Sequence, residues 1–120
     1  MPSPDPPQGA AMFKIVADPR FTHVVPVLVP VDGGHVEQTF RATFRVLPTT
    51  EADRHELTTT AGMDAFLRAI VVGLEDIEDE EGRPLPYSDG LRDRVLDPIY
   101  VKLAVLRAYN AALGKARAGN

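Results

Sequence analysis

Three histidines, two serines and an acidic run from Glu75 to Glu81 are the residues of this chain whose types could do chemistry. His23, His35 and His55 are metal-ligand types, but they fall on separate elements and show neither HxH nor HExxH spacing. His23 and His35 lie near the two ends of a predicted hairpin and could meet across it. Two polar residues flanking a hairpin explain them as well. In the acidic run, Asp76, Glu78 and Glu80 have the 1-3-5 spacing of a calcium loop. The glycine of such a loop belongs at the sixth position, whereas Gly82 is at the seventh. Tyr87 stands where a bidentate glutamate should close the loop. The run therefore reads as a solvated acidic turn, open to a basic partner. Ser88 lies in a Tyr-Ser-Asp-Gly turn and Ser3 near the N-terminus; neither sits in a nucleophile elbow or near a histidine in sequence. Gly33-Gly34 belongs to no phosphate-binding pattern. With no nucleophile or base beside an orienting partner, the expectation is a non-enzymatic protein without cofactor or metal.

The elements that carry these residues follow from pattern. Residues 1–11 hold four prolines and read as a disordered tail, native or a remnant of the expression vector, with Met12 as a second candidate start. A short strand is predicted over Phe13–Asp18, turned by Asp18-Pro19-Arg20. Over Thr22–Val31, strict alternation puts Val25, Val27, Val29 and Val31 on one face, with Pro26 and Pro30 opposite. Prolines cannot donate to a ladder, so this strand belongs at a sheet edge. Asp32-Gly33-Gly34 turns it into a return strand, His35–Leu47. There Phe40, Ala42, Phe44 and Val46 face one way, and Thr39, Arg41, Thr43 and Arg45 the other. Arg41 and Arg45 on that wet face are candidates for an anion or partner surface.

Pro48 stops the strand. Thr50 with Asp53 predicts a capped short helix over Glu51–Leu57. A helix over Ala61–Leu74 follows, with Met63, Phe66, Leu67, Ile70, Val71 and Leu74 as its apolar stripe. Gly82 breaks the acidic run, and Arg83-Pro84-Leu85-Pro86-Tyr87 is stiff and extended. Ser88 or Asp89 caps a helix to about Leu96. Asp97 and Pro98 start the last helix, to Leu113, whose stripe is Ile99, Leu103, Leu106, Tyr109 (or Asn110) and Leu113. Gly114 ends it, and Lys115 and Arg117 suit the negative end of its dipole. The result is one α+β domain over 12–120: an antiparallel β-hairpin or small sheet (12–47) packed with three to four α-helices (48–120), the C-terminal one long.

At 120 residues, 44% hydrophobic and 25% charged, the chain can bury a core. A net charge of −4 argues against nucleic acid as a partner. The absence of cysteine excludes disulfides, thiolate metal sites and thiol catalysis. No apolar run reaches the ~20 residues that span a bilayer.

The order of features is itself distinctive. A hairpin ends in Phe40-Arg41-Ala42-Thr43-Phe44-Arg45-Val46-Leu47. Then come Phe66-Leu67-Arg68-Ala69-Ile70-Val71-Val72-Gly73-Leu74-Glu75-Asp76-Ile77 and Asp79-Glu80-Glu81-Gly82-Arg83-Pro84-Leu85-Pro86-Tyr87-Ser88, and last Arg107-Ala108-Tyr109-Asn110-Ala111-Ala112-Leu113. Over Phe13–Asn120 this resembles the tail assembly chaperones of long-tailed phages and prophages. Their pattern is an aliphatic run, Gly-Trp, an acidic turn with glycine, Pro-Leu-Pro-aromatic and a late Ala-Tyr helix. Leu74 replaces the tryptophan, and Gly119-Asn120 the closing Lys-Asn. The resemblance implies a protein that binds and solubilises the tape measure protein and promotes tail tube assembly in the host cytoplasm, then leaves before the virion is mature. It also implies a frameshifted longer form that binds the tail tube protein, this chain being the short form, and weak self-association. A holdase needs an apolar groove or a β-edge. The hairpin edge (Val25, Val27, Val29, Arg41, Arg45) and the last helix (Leu103, Leu106, Tyr109) are the candidate partner-binding residues. A structural protein of the tail or head–tail connector is the alternative, and a small metal-dependent enzyme using the acidic turn a third.

Overall fold

The computed structural model describes residues 11–114. The expectations for residues 1–10, for Ser3 and for the residues after Gly114 lie outside them. Two twelve-residue strands, β1 (Arg20–Val31) and β2 (Gly34–Arg45), pair antiparallel in continuous register from Arg20↔Arg45 to Val31↔Gly34. Gly33 turns the chain between them with φ +77°, a conformation open to glycine at no steric cost. Short α1 (Thr49–Ala52) and then α2 (Thr60–Ile70), β3 (Val71–Glu75), α3 (Asp89–Val95) and α4 (Ile99–Leu113) follow. The sheet order is β1-β2-β3. The fold is α+β, as the patterning predicts.

Val25, Val27, Phe40, Ala42 and Phe44 on the inner face of the hairpin join Phe66, Leu67, Ile70, Val71, Leu74, Val101, Val105 and Tyr109 in one hydrophobic cluster. Tyr109 is its hub, with ring centroids 5.5 Å from Phe44, 5.7 Å from Phe66 and 6.2 Å from Phe21. Its hydroxyl accepts a hydrogen bond from the backbone N–H of Leu47 at 3.3 Å. That donor lies just past the end of β2, where the ladder no longer supplies a partner.

Several expectations are corrected. The helix predicted to Leu74 ends at Ile70, and Val71–Glu75 becomes a third strand on β2. Ile70, Val71 and Val72 are β-branched, a run that disfavours helix and suits a strand when a free edge is at hand. A bulge opposite Thr43/Phe44 inserts Val72, so Val71 and Leu74 both point inward although three residues apart. That spacing is the helical one, so strand and helix share a single stripe in the sequence. Thr43 closes on Gly73, where a Cβ would stand 3.3 Å from the threonine Cβ.

Phe13–Asp18 forms no strand; it has no ladder partner among the described residues and is exposed. The helix predicted over Glu51–Leu57 shrinks to α1, which starts after Pro48 with no side-chain cap. Thr59, in a threonine run that reads as a connector or N-cap, caps α2, its hydroxyl accepting the Gly62 N–H at 3.0 Å. Gly62 admits no side chain, since a Cβ there would fall 1.9 Å from the Glu56 carbonyl oxygen. Gly62→Ala is therefore expected to cost at least about 2 kcal/mol through forced displacement of this loop, read as a lower denaturation midpoint at unchanged m-value. Ser88 caps α3 by accepting the Leu91 N–H at 3.0 Å. Pro98, not Asp97, is the N-cap residue of α4.

The predicted stripe of α4 is also rotated. Val101, Lys102, Ala104, Val105, Ala108 and Tyr109 are buried, whereas Ile99, Leu103 and Leu113 are exposed and Leu106 half-buried. Both sets have helical spacing. The small residues of the first let the helix lie close on β1, and Lys102 is accommodated because its ammonium is neutralised. Its Nζ donates to Asp64 Oδ1 of α2 at 2.9 Å and to the Leu96 carbonyl at 2.6 Å.

Candidate protein-binding surfaces

Strand β3 pairs only with residues 41–44 of β2, so the tip half of the hairpin runs on as a two-stranded arm. Its two edges differ. In an antiparallel ladder, a residue turns both its N–H and its C=O toward one neighbour. Pro26 and Pro30 have no N–H to give β2, and they share parity with Val24 and Leu28. These four residues therefore face outward, and two of the four edge donors are missing. On the other edge, His35, Glu37 and Thr39 face away from β1 with every donor present. The chain leaves that edge after Glu75 because Asp76 adopts a left-handed backbone, φ +66°.

The acidic turn is an ordered loop. Leu85 N–H donates to the Ile77 carbonyl at 2.8 Å and Asp79 N–H to the Arg83 carbonyl at 2.9 Å, with Gly82 at φ +82° between them. Asp79 Oδ1 accepts the backbone N–H groups of Glu81 and Arg83, and Oδ2 accepts Arg83 Nε, each at 2.9 Å. The Arg83 N–H and the other donors hold the Asp79 carboxyl below the usual carboxylate range. Among the described residues no three His, Asp or Glu are arranged to hold a metal ion. His23 and His35 do not meet: His23 pairs with Ala42 and His35 with Pro30.

Two grooves flank the arm. One, of about 740 Å³, lies between its inner face and the acidic turn, bordered by Val29, Gln38, Phe40, Asp76, Glu78 and Tyr100. The other, of about 390 Å³, lies between the β1 edge and α4 and is mostly apolar: Val24, Pro26, Ala104, Ala108 and Ala111, with His23 and Arg107 at its rim.

The predicted partner-binding residues divide accordingly. Val25, Val27 and Tyr109 are core, with 0%, 3% and 5% of their surface exposed, and cannot reach a partner. The inner face of β1 is where α4 packs, which the alternation alone could not reveal. Val29 is half-buried against the same cluster, as is Leu106. Arg45 is tied to Asp18 at 2.9 Å and to Glu51 at 3.3 Å, and Arg41 to Glu75 at 3.5 Å. The hydrogen bond from Arg20, with that from Arg45, keeps the Asp18 carboxyl below its ordinary range. Leu103 is accessible. Sequence reasoning missed Val24 and Leu28 on the outer face of β1, and Val31 and Val36 near the tip, all about half-exposed. Their signal was present: aliphatic residues at both parities of one edge strand leave some facing water.

No helix among the described residues is long and apolar enough to cross a membrane. Compared with protein-family models, curated proteins and solved structures, the chain matches none, so a reading of its function rests on the residues and on these two grooves.

Proposed function

We propose that the protein is a non-enzymatic phage tail assembly chaperone that binds the tape measure protein and keeps it soluble while tail tube subunits assemble. The observation that carries this reading is the mostly apolar groove between β1 and α4, together with the feature order that resembles that family. A tape measure protein is long, helical and amphipathic. Ala104 and Ala108, buried against β1, line this groove with small side chains and Ala111 is exposed at its end, which leaves room for an apolar helix face above them. Val24 and Leu103 add accessible aliphatic surface on the hairpin and on α4, and both are free to contact a partner. Arg107 at the rim can pair with an acidic residue on the polar side of the bound helix.

Co-expression with the tape measure protein of the same locus tests this. The tape measure is expected to become soluble and to co-purify with several copies of this chain. Val24→Asp puts a charge in the groove lining and Leu103→Asp puts one on the exposed surface of α4, neither in the core, and each is expected to reduce recovery at least tenfold. A tape measure that precipitates regardless would overturn the reading. The exposed apolar segment before β1 favours a second one, a structural subunit of the tail or head–tail connector held in a permanent lattice. Presence of the protein in purified particles would select it.

A further inference from the structure

We propose that the segment Met12–Val16 of one copy adds as a strand to the free edge of β2, residues 35–39, in a second copy. The segment reads Met-Phe-Lys-Ile-Val, an apolar strand sequence, yet Phe13 is 91% and Ile15 92% exposed. The edge it would meet carries a full set of backbone donors and acceptors on His35, Glu37 and Thr39, and lies along the larger groove. An unpaired run of this kind is a template for strand addition.

Side-chain parity fixes a fit. An added strand running in line with β3 pairs Phe13 with Gln38, Lys14 with Glu37 and Ile15 with Val36. Phe13 and Ile15 then turn inward, over the groove and over the half-exposed Val31 and Val36. Lys14 lands on the outer face directly beside Glu37, an opposite-charge cross-strand pair.

The segment cannot serve its own chain in this way. The free edge begins level with Pro26, six residues along β1 from Arg20, which is about 20 Å at ~3.3 Å per residue. Reaching the far side of β2 adds two strand spacings, about 10 Å. Val16 is joined to Arg20 by four residue steps, which extend to about 14 Å at most. A gap of about 22 Å cannot be bridged by that link, so the occupant is a second copy.

Light scattering on the full chain across about 5–200 μM tests the proposal, with association expected in that range. Ile15→Asp and Glu37→Pro should each weaken it at least tenfold. Neither should change the melting temperature of the monomer. Ile15 is 92% exposed, and position 37 faces away from β1 as Pro26 faces away from β2. A mixture of the two variants keeps one intact segment and one intact edge, and should associate where each alone does not. The absence of cysteine allows a second readout. A chain with Lys14→Cys mixed with one carrying Glu37→Cys should form a disulfide-linked heterodimer at least tenfold faster than either chain alone, since facing strand residues have bridgeable Cα separations. A wild-type chain monomeric throughout overturns the proposal. So does association that survives both variants, or cross-linking no faster in the mixture.

Discussion

Tyr109→Ala is expected to destabilise the protein by about 3–5 kcal/mol, the range for removing a large buried aromatic, and to lower its melting temperature by on the order of 10–20 °C. The ring contacts Phe21, Phe44 and Phe66 from the centre of the core, so its loss opens a cavity where sheet, α2 and α4 meet. Tyr109→Phe separates packing from the polar contact. It keeps the ring and removes only the acceptor of the Leu47 N–H, so about 1 kcal/mol is expected. Chemical denaturation of both variants checks the ratio. Near-equal losses would mean that the hydroxyl, and not the ring, carries the effect.

Asp64→Ala should cost about 3 kcal/mol, because it strands a buried ammonium. Lys102 is 6% exposed and keeps only the Leu96 carbonyl when the carboxylate goes. Adding Lys102→Met in the same chain should restore most of the loss, since an apolar side chain of similar length fills the space without a charge. The pair also sets an acid dependence. The Lys102 hydrogen bond outweighs burial and holds the Asp64 carboxyl below its ordinary range. The folded carboxyl binds its proton less readily than the unfolded one. Its contribution is therefore complete above the unfolded aspartate value of about 3.9 and is lost as pH falls through the folded value beneath it. Melting temperatures of wild type and the double variant should differ by a constant amount above about pH 5 and should converge in acid. A gap that stays constant to pH 2 would show that the pair has no such linkage.

How far the sequence could be read depended on which signals had one meaning. The hairpin was legible because alternation, Asp32-Gly33-Gly34 and the like parity of the two prolines all agreed. The third strand was not, since the bulge at Val72 gave a strand the spacing of a helix. The face of α4 was ambiguous because two stripes compete on one helix, and the lysine that belongs to the buried one reads as polar until Asp64 is in view. The same ambiguity put Val25, Val27 and Tyr109 among surface residues. Which side of a two-sided strand is covered depends on elements distant in sequence. The grooves, formed between such elements, could not be located from local pattern at all, although Val29, which borders the larger one, was named.

Pro26 and Pro30 give the arm a chemical valence. A strand with full donors on both sides would let copies stack without limit, as in a fibril. With two donors gone from one side, the hairpin offers a single receptive flank. Growth of the sheet then ends after one addition on each copy, and an assembly of such copies must propagate by linking separate sheets rather than by extending one. Restoring the missing donors, with Pro26→Thr and Pro30→Thr, should raise the rate of thioflavin-positive aggregation severalfold without loss of fold stability. An unchanged rate would mean that the prolines serve only the geometry of the strand.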